Sequence, residues 1–205
     1  MIQTNDLSIA MAEESMTFSE KSSPDMEDIR LSLSGDGAAY ERLVVKYQSR
    51  ISARMWRFTR DRFEHGELVQ DVFVEAYMSL KTFRSRAPFE HWLSRIATGV
   101  GYKYWKRKAA MGKNQMIPME AFDWKEPANP ETLTPENAAE ILYSLLERLP
   151  PRDRLVLTLR YVEDLSLEET AQLTGWSVTM VKVQSWRARK KLKKLFESAG
   201  LEVDR

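Results

Sequence analysis

Two stretches of this chain carry apolar residues at every third or fourth position, and between them the recurrence stops. In the first stretch Tyr40, Leu43, Val44, Tyr47, Ile51, Met55 and Phe58 share one face, followed by Leu68, Val69, Val72, Phe73, Ala76, Tyr77 and Leu80. A third run, Phe89, Trp92, Leu93, Ile96, Ala97, Val100 and Tyr104, keeps the same spacing, and Met26, Ile29 and Leu33 form a shorter one. Residues three and four apart meet on one side of an α-helix, whereas a strand needs strict alternation, which persists nowhere. The second stretch opens with Ile141, Leu142, Leu145, Leu146 and Leu149, then Leu155, Val156, Leu159 and Val162 beyond Pro150-Pro151. Four of the eight prolines (Pro118, Pro127, Pro130, Pro135) fall in the polar, acidic interval 111–139. An aperiodic stretch of that length is a linker and not a loop inside one core. The pattern therefore predicts an all-α chain. A disordered tail over 1–24 precedes a helical domain over 25–110, and an acidic linker over 111–139 leads to a second helical domain over 140–198.

Charge sharpens the functional question. The total is +1, which taken alone argues against a polyanionic partner. By segment it divides into −6 over 1–39, +8 over 40–110, −3 over 111–139 and +2 over 140–205. Between Glu169 and Glu197 no acid occurs, while Lys182, Arg187, Arg189, Lys190, Lys191, Lys193 and Lys194 supply +7. Such segregation fits electrostatic steering toward nucleic acid. Zero cysteines exclude disulfides and Cys-ligated metal, and suit a reducing cytoplasm. No apolar run is long enough for membrane insertion, and the first residues lack a basic start followed by an apolar run. The only histidines, His65 and His91, show no metal-binding spacing, and no Gly-rich phosphate loop occurs, so no enzyme and no cofactor are expected.

The most specific local motif lies near the C-terminus. Ser166-Leu167-Glu168-Glu169 has capping-box spacing and opens a short helix through Leu173. Thr174-Gly175-Trp176-Ser177 supplies a turn, and Ser177 can cap a second helix to about Phe196. Two helices joined this way form a helix-turn-helix, whose second helix fits the major groove of DNA. Val181, Ala188 and Leu192 then face the domain, leaving Thr179, Lys182, Val183, Arg187 and Lys190 outward.

In the first domain, with Trp92, Ile96 and Val100 inward, Arg95, Thr98, Gly99, Tyr102 and Lys106 fall on the opposite face. Tyr102, Tyr104 and Trp105 alternate with Lys103, Lys106, Arg107 and Lys108. Cations tracking a backbone and rings stacking on unpaired bases are what single-strand binding requires. The residues alone also admit a helix-turn-helix regulator that binds duplex DNA without polymerase, although such a protein has no use for a single-strand platform.

Phe83-Arg84 followed by Phe89-Glu90-His91-Trp92-Leu93-Ser94-Arg95-Ile96-Ala97 resembles the F-R…F-x-x-W-L-x-R-I-A stretch of the extracytoplasmic-function group of bacterial sigma factors. Glu67-Leu68-Val69-Gln70-Asp71-Val72-Phe73 is similar to that group's D-L-V-Q-E-V-F helix, and Leu146 to Pro150, Tyr161 to Thr170 and Arg187-Ala188-Arg189 resemble its C-terminal motifs. The resemblance runs over roughly residues 25–198. It implies a subunit that binds core RNA polymerase, directs it to promoter DNA and assists promoter opening, and it admits an inhibitory anti-sigma factor as a further partner. It implies that Glu67, Gln70 and Asp71 contact the polymerase clamp, and that the loop from Arg84 through Ser85 and Arg86 to Ala87 catches a flipped base. Arg95, Gly99, Tyr102, Lys103 and Lys106 would then lie near the opened minus-ten strand. Thr179, Lys182, Val183, Gln184, Trp186, Arg187 and Lys190 would meet the minus-thirty-five duplex. This chain departs from the group at Gly99, where the group often has Asn, and over Thr179 to Ser185, where G-T-V-K-S-R and an apolar residue are usual: Met180, Gln184 in place of Arg, and Ser185 at the apolar packing position. Gln184 is expected to offer its amide to an adenine, and Trp186 to compensate for Ser185.

Overall fold

The computed structural model describes residues 24–114 and 135–199, and every regular element among them is helical. The expectations for the tail and for the middle of the linker lie outside the described residues. Contacts divide the chain into two units, separated between Gly101 and Tyr102.

In the first unit, α1 (Pro24–Leu33) ends at Gly35, whose φ of +99° is open to glycine and strained for other residues. Asp36 then caps α2 (Gly37–Met55), accepting hydrogen bonds from the amides of Ala38 at 2.9 Å and Ala39 at 3.2 Å. Ala39, Leu43, Tyr47, Ile51 and Met55 recur every four residues along α2, and all are buried. Acids of α1 hold it to α2. The Tyr47 hydroxyl donates to Asp25 at 2.6 Å, Lys46 pairs with Asp25, and Arg42 pairs with Asp28 at 2.5 Å. Asp61 caps α3 (Arg62–Ser79), which buries Leu68, Val72, Phe73 and Ala76 and runs into a tight turn over Leu80–Thr82. The Tyr40 hydroxyl ties α2 to α3 by donating to the Phe73 carbonyl at 2.5 Å. The long helix α4 (Phe89–Asn114) lays Phe89, Leu93, Ala97 and Val100 against the same core. Gly101 allows it to approach Phe58 closely, since a Cβ there would sit 2.3 Å from a ring carbon.

The second unit contains α5 (Pro135–Glu147), α6 (Pro151–Leu157) with a wider helical turn over Thr158–Val162, α7 (Leu167–Thr174) and α8 (Val178–Ser198). Pro151 opens α6, where its missing amide hydrogen costs no helical bond. Leu146, Leu149, Val156, Leu157, Ala171, Val181 and Ala188 form the buried core, with Leu142, Val162 and Leu192 packed around it.

Several details differ from the sequence pattern. Leu33 is exposed and Ser32 takes the buried place, its hydroxyl returning to the Asp28 carbonyl at 2.6 Å. Tyr77 is half exposed and meets Tyr40 edge to face, with ring centroids 4.9 Å apart. On α4, Thr98 points inward, its hydroxyl satisfied by the Ser94 carbonyl at 2.9 Å, while Trp92 and Ile96 sit at the rim. Helix α4 continues to Asn114 and α5 begins at Pro135, so both enter the interval read as linker.

Candidate nucleic-acid interface

Three surfaces collect the residues singled out in the sequence. The first is the outer face of α3. Glu67, Gln70 and Asp71 are all exposed there, and apolar side chains join them on the same face. Phe63 is 87% exposed and Met78 71%, with Val74 between them. Positions 63, 67, 70, 71, 74 and 78 follow one helical face. Helix α3 is thus apolar both toward its core and toward solvent, which marks a surface built to meet another molecule. The signal is present in the sequence, where Val72-Phe73-Val74-Glu75-Ala76-Tyr77-Met78 is interrupted by a single charge and so is apolar around more than one helical face.

The second surface is the loop before α4 and the helix itself. Phe83, Phe89 and Trp92 form an aromatic triad with centroids 5.3 to 5.5 Å apart, anchoring both ends of the loop. Between those anchors Arg84 and Arg86 are exposed, and Ser85 adopts a left-handed φ of +51° with its hydroxyl 3.3 Å from the Met26 sulfur. A non-glycine residue in that region is strained and is held there by its surroundings. Arg95 is exposed, and nothing lies within 4 Å of where a Gly99 Cβ would be.

From Tyr102 onward α4 belongs to the second unit. Lys103 and Lys106 are exposed, with Lys106 standing 5.8 Å from the Tyr102 ring centroid. Tyr104 and Trp105 do not join that face: both are buried, Trp105 to 3%, beneath the Arg154 guanidinium at 4.1 Å. Burial pushes Arg154 below its ordinary pKa, opposed by Glu147 at 3.3 Å. Of the three rings expected to stack on bases, only Tyr102 remains partly accessible.

The third surface is the helix-turn-helix. Ser166 and Glu169 form the reciprocal cap: the Ser166 amide donates to the Glu169 carboxylate at 2.8 Å, and the Glu169 amide donates to Ser166 Oγ at 3.1 Å. Hydrogen bonds from Ser166 hold the Glu169 carboxyl below its ordinary 4.5. Gly175 closes α7 at φ +73°, and Ser177 caps α8 by accepting from the Met180 amide at 3.2 Å. Thr179, Lys182, Val183, Trp186, Arg187 and Lys190 are exposed along α8, with Lys190 Nζ 4.0 Å from the Trp186 ring centroid. Gln184 differs from these: it is half-buried, and its amide donates to Asp153 at 2.5 Å. Ser185 occupies the packing position as expected, its hydroxyl satisfied by the Val181 carbonyl at 2.8 Å. Trp186 does not fill the space beside it, being 57% exposed.

His65 lies stacked on Trp56, with ring centroids 3.9 Å apart, and its Nε2 is 2.9 Å from the Ser52 carbonyl. Among the described residues no cluster of three candidate ligands could hold a metal ion, and no helix is long and apolar enough to cross a membrane.

Comparison with known proteins gives a consistent picture. Residues 43–111 match the family profile for sigma-70 region 2, and residues 139–192 match that for sigma-70 region 4. The chain is 32% identical over 163 residues to the ECF RNA polymerase sigma-E factor of Escherichia coli (strain K12), spanning 76% of this chain and 85% of that one. It is 29% identical over 171 residues to the RNA polymerase sigma-H factor of Pseudomonas aeruginosa, spanning 80% and 89%. Among solved structures it resembles CnrH in complex with the cytosolic domain of CnrY, at a TM-score of 0.53 and 25% identity over 86% of this chain and 99% of that one. The sigma factor RpoE of Bartonella quintana, solved with the anti-sigma factor NepR, shares the fold at a TM-score of 0.50 and 17% identity, over 81% and 98%.

Proposed function

The chain belongs to the extracytoplasmic-function group of bacterial sigma factors, which direct RNA polymerase to promoters, and we propose how its surfaces divide that work. The outer face of α3 docks on core polymerase, with Glu67, Gln70 and Asp71 giving charge and hydrogen bonds and Phe63, Val74 and Met78 giving apolar anchors. The Arg84 to Ala87 loop and the face bearing Arg95, Gly99, Tyr102, Lys103 and Lys106 hold the opened minus-ten strand. Helix α8 enters the minus-thirty-five major groove through Thr179, Lys182, Val183, Trp186, Arg187 and Lys190. The protein binds and opens DNA with no covalent step of its own, and it works in the cytoplasm beside the polymerase. CnrH is solved in complex with the cytosolic domain of CnrY, and this chain too takes a protein partner, an anti-sigma factor.

The observation that carries this reading is the solvent-facing apolar and acidic stripe on α3, which a free-standing DNA-binding regulator would not need. Run-off transcription with purified core polymerase tests it: promoter-specific transcripts appear only when the protein is added. Replacing Gln70 and Asp71 by Ala weakens core binding at least about tenfold without unfolding the chain, the cost of two interfacial hot spots. Core binding that survives this change moves the docking face elsewhere. Arg187→Ala lowers the salt slope of promoter binding by about one unit if its guanidinium meets a phosphate. An unchanged slope takes it off the contact surface.

A further inference from the structure

Asp153 has no role in the surfaces described so far. It sits in α6 with its side chain only 2% exposed, and both carboxylate oxygens are engaged from α8. Gln184 donates its amide to Oδ1 at 2.5 Å, and Lys191 donates to Oδ2 at 2.6 Å. Seven residues separate these two partners, which places them about two turns apart and within about 20° on the helix wheel. By the same geometry Gln184 lies about 160° around α8 from Trp186 and about 120° from Lys190, on the flank against α6.

We propose that Asp153 is a positioning residue for promoter readout, setting the rotation of α8 through Gln184 and Lys191, and that those two side chains serve Asp153 and not the DNA. The proposal rests on α8 being the promoter helix. A buried carboxylate demands charge-assisted partners, and two of them two turns apart resist rolling of the helix about its axis. The amide of Gln184 faces away from any groove that Trp186 and Lys190 enter. The charge of Lys191 is matched within the fold, so it releases no counterion on binding.

The experiment uses holoenzyme assembled from core polymerase and the full chain, with occupancy of a promoter library randomised in the minus-thirty-five element as readout. Gln184→Ala lowers occupancy by a similar factor across the library and erases no single base preference. A bidentate amide–adenine pair would instead give a selective loss of roughly 5- to 150-fold at one base pair, and that result overturns the proposal. Lys191→Ala leaves the slope of log affinity against log salt unchanged; a slope shallower by about one unit overturns it. Asp153→Asn keeps the side-chain shape but loses the charge that holds Gln184 and Lys191, so base preferences weaken at several positions of the library at once while the salt slope stays unchanged. A merely structural carboxylate would lower thermal stability without moving those preferences, and that result overturns the proposal. The reading of α8 as the promoter helix fails separately, if Arg187→Ala changes neither occupancy nor slope.

Discussion

Gly99 and Gly101 lie two residues apart on α4, yet alanine at the two sites is expected to move stability in opposite directions. A Cβ at Gly99 meets nothing within 4 Å, so only the backbone changes. Replacing a helix-interior glycine by alanine stabilises by about 0.8–1 kcal/mol. For a unit of this size that raises the unfolding midpoint by roughly 4–8 °C. At Gly101 the new Cβ would stand 2.3 Å from Phe58 Cδ1 and 2.4 Å from Cε1 and Cγ. Three ring atoms are struck at once, so no rotation of the ring relieves the clash. Phe58 is itself only 2% exposed, and the ring must shift by about 1 Å to restore van der Waals separation. Overpacking of that kind costs roughly 1–3 kcal/mol, against the gain of about 1 in helix propensity. The two variants should therefore differ by about 1–3 kcal/mol, with Gly99→Ala above the parent and Gly101→Ala at or below it. Urea unfolding followed by circular dichroism reads both in the full chain. Trimming the ring with Phe58→Leu should cost stability in the parent and cost less in Gly101→Ala, a coupling that distant sites do not show. A Gly101→Ala variant as stable as Gly99→Ala would refute the close approach of α4 to Phe58.

Removing the reciprocal cap by Ser166→Ala should cost about 1 kcal/mol at neutral pH. The Glu169 carboxyl is held below its ordinary 4.5, so its contribution is full above pH 4.5 and fades as pH falls through the lowered value. The gap between parent and Ser166→Ala should narrow in acid, and an equal gap at both pH values would contradict the cap. Tyr40 titrates in the other direction: burial raises its hydroxyl from 10.0 to about 12. Its protonated form contributes stability that is complete below pH 10 and lost as pH climbs toward 12. Tyr40→Phe should reduce that alkaline loss, for about 1 kcal/mol given up at neutral pH with the bond to Phe73, and leave the part due to Tyr47, whose hydroxyl is also raised by burial. Denaturant midpoints across the alkaline range check it.

Helix existence, the two caps of the helix-turn-helix and the outward set on α8 were legible because each depends on spacing within one segment. Ser166 and Glu169 find each other across three residues whatever the tertiary fold does. Features that depend on which segments meet were not legible. Asp153 sits between two arginines and reads as part of a surface charge run until α6 and α8 are seen together. Trp105 reads as a stacking platform among lysines, yet Arg154, far along the chain, covers it. The resemblance points Gln184 toward DNA in place of an arginine, whereas the helical period groups it with Lys191 and the structure bonds it to Asp153. Thr98 defeated the hydrophobic pattern because its hydroxyl is satisfied within its own helix and can be buried at little cost.

Charge shows most clearly why a count along the sequence differs from a count on a surface. The total of +1 taken alone argues against DNA, and the +7 between Glu169 and Glu197 argues for steering toward it. Neither survives the fold unchanged. Lys191 answers the buried Asp153, and Lys193 leans toward Glu197 at 3.8 Å, the first a firm pairing and the second a weak exposed one. Two acids of α1 are likewise structural: Asp25 and Asp28 pair with Lys46 and Arg42 of α2, so their charge is answered within the unit. Along the face of α8 that carries Thr179, Val183 and Trp186, the exposed cations are Lys182, Arg187 and Lys190, with Lys193 and Lys194 continuing it toward the C-terminus. Phosphate contacts from the first three correspond to a salt slope of about −3, where all seven would give about −6. On the proposed role of α8, a modest slope leaves more of the discrimination to side chains that touch bases. The rotation of that helix, which the proposal fixes through Asp153, then matters more to promoter choice than its total charge.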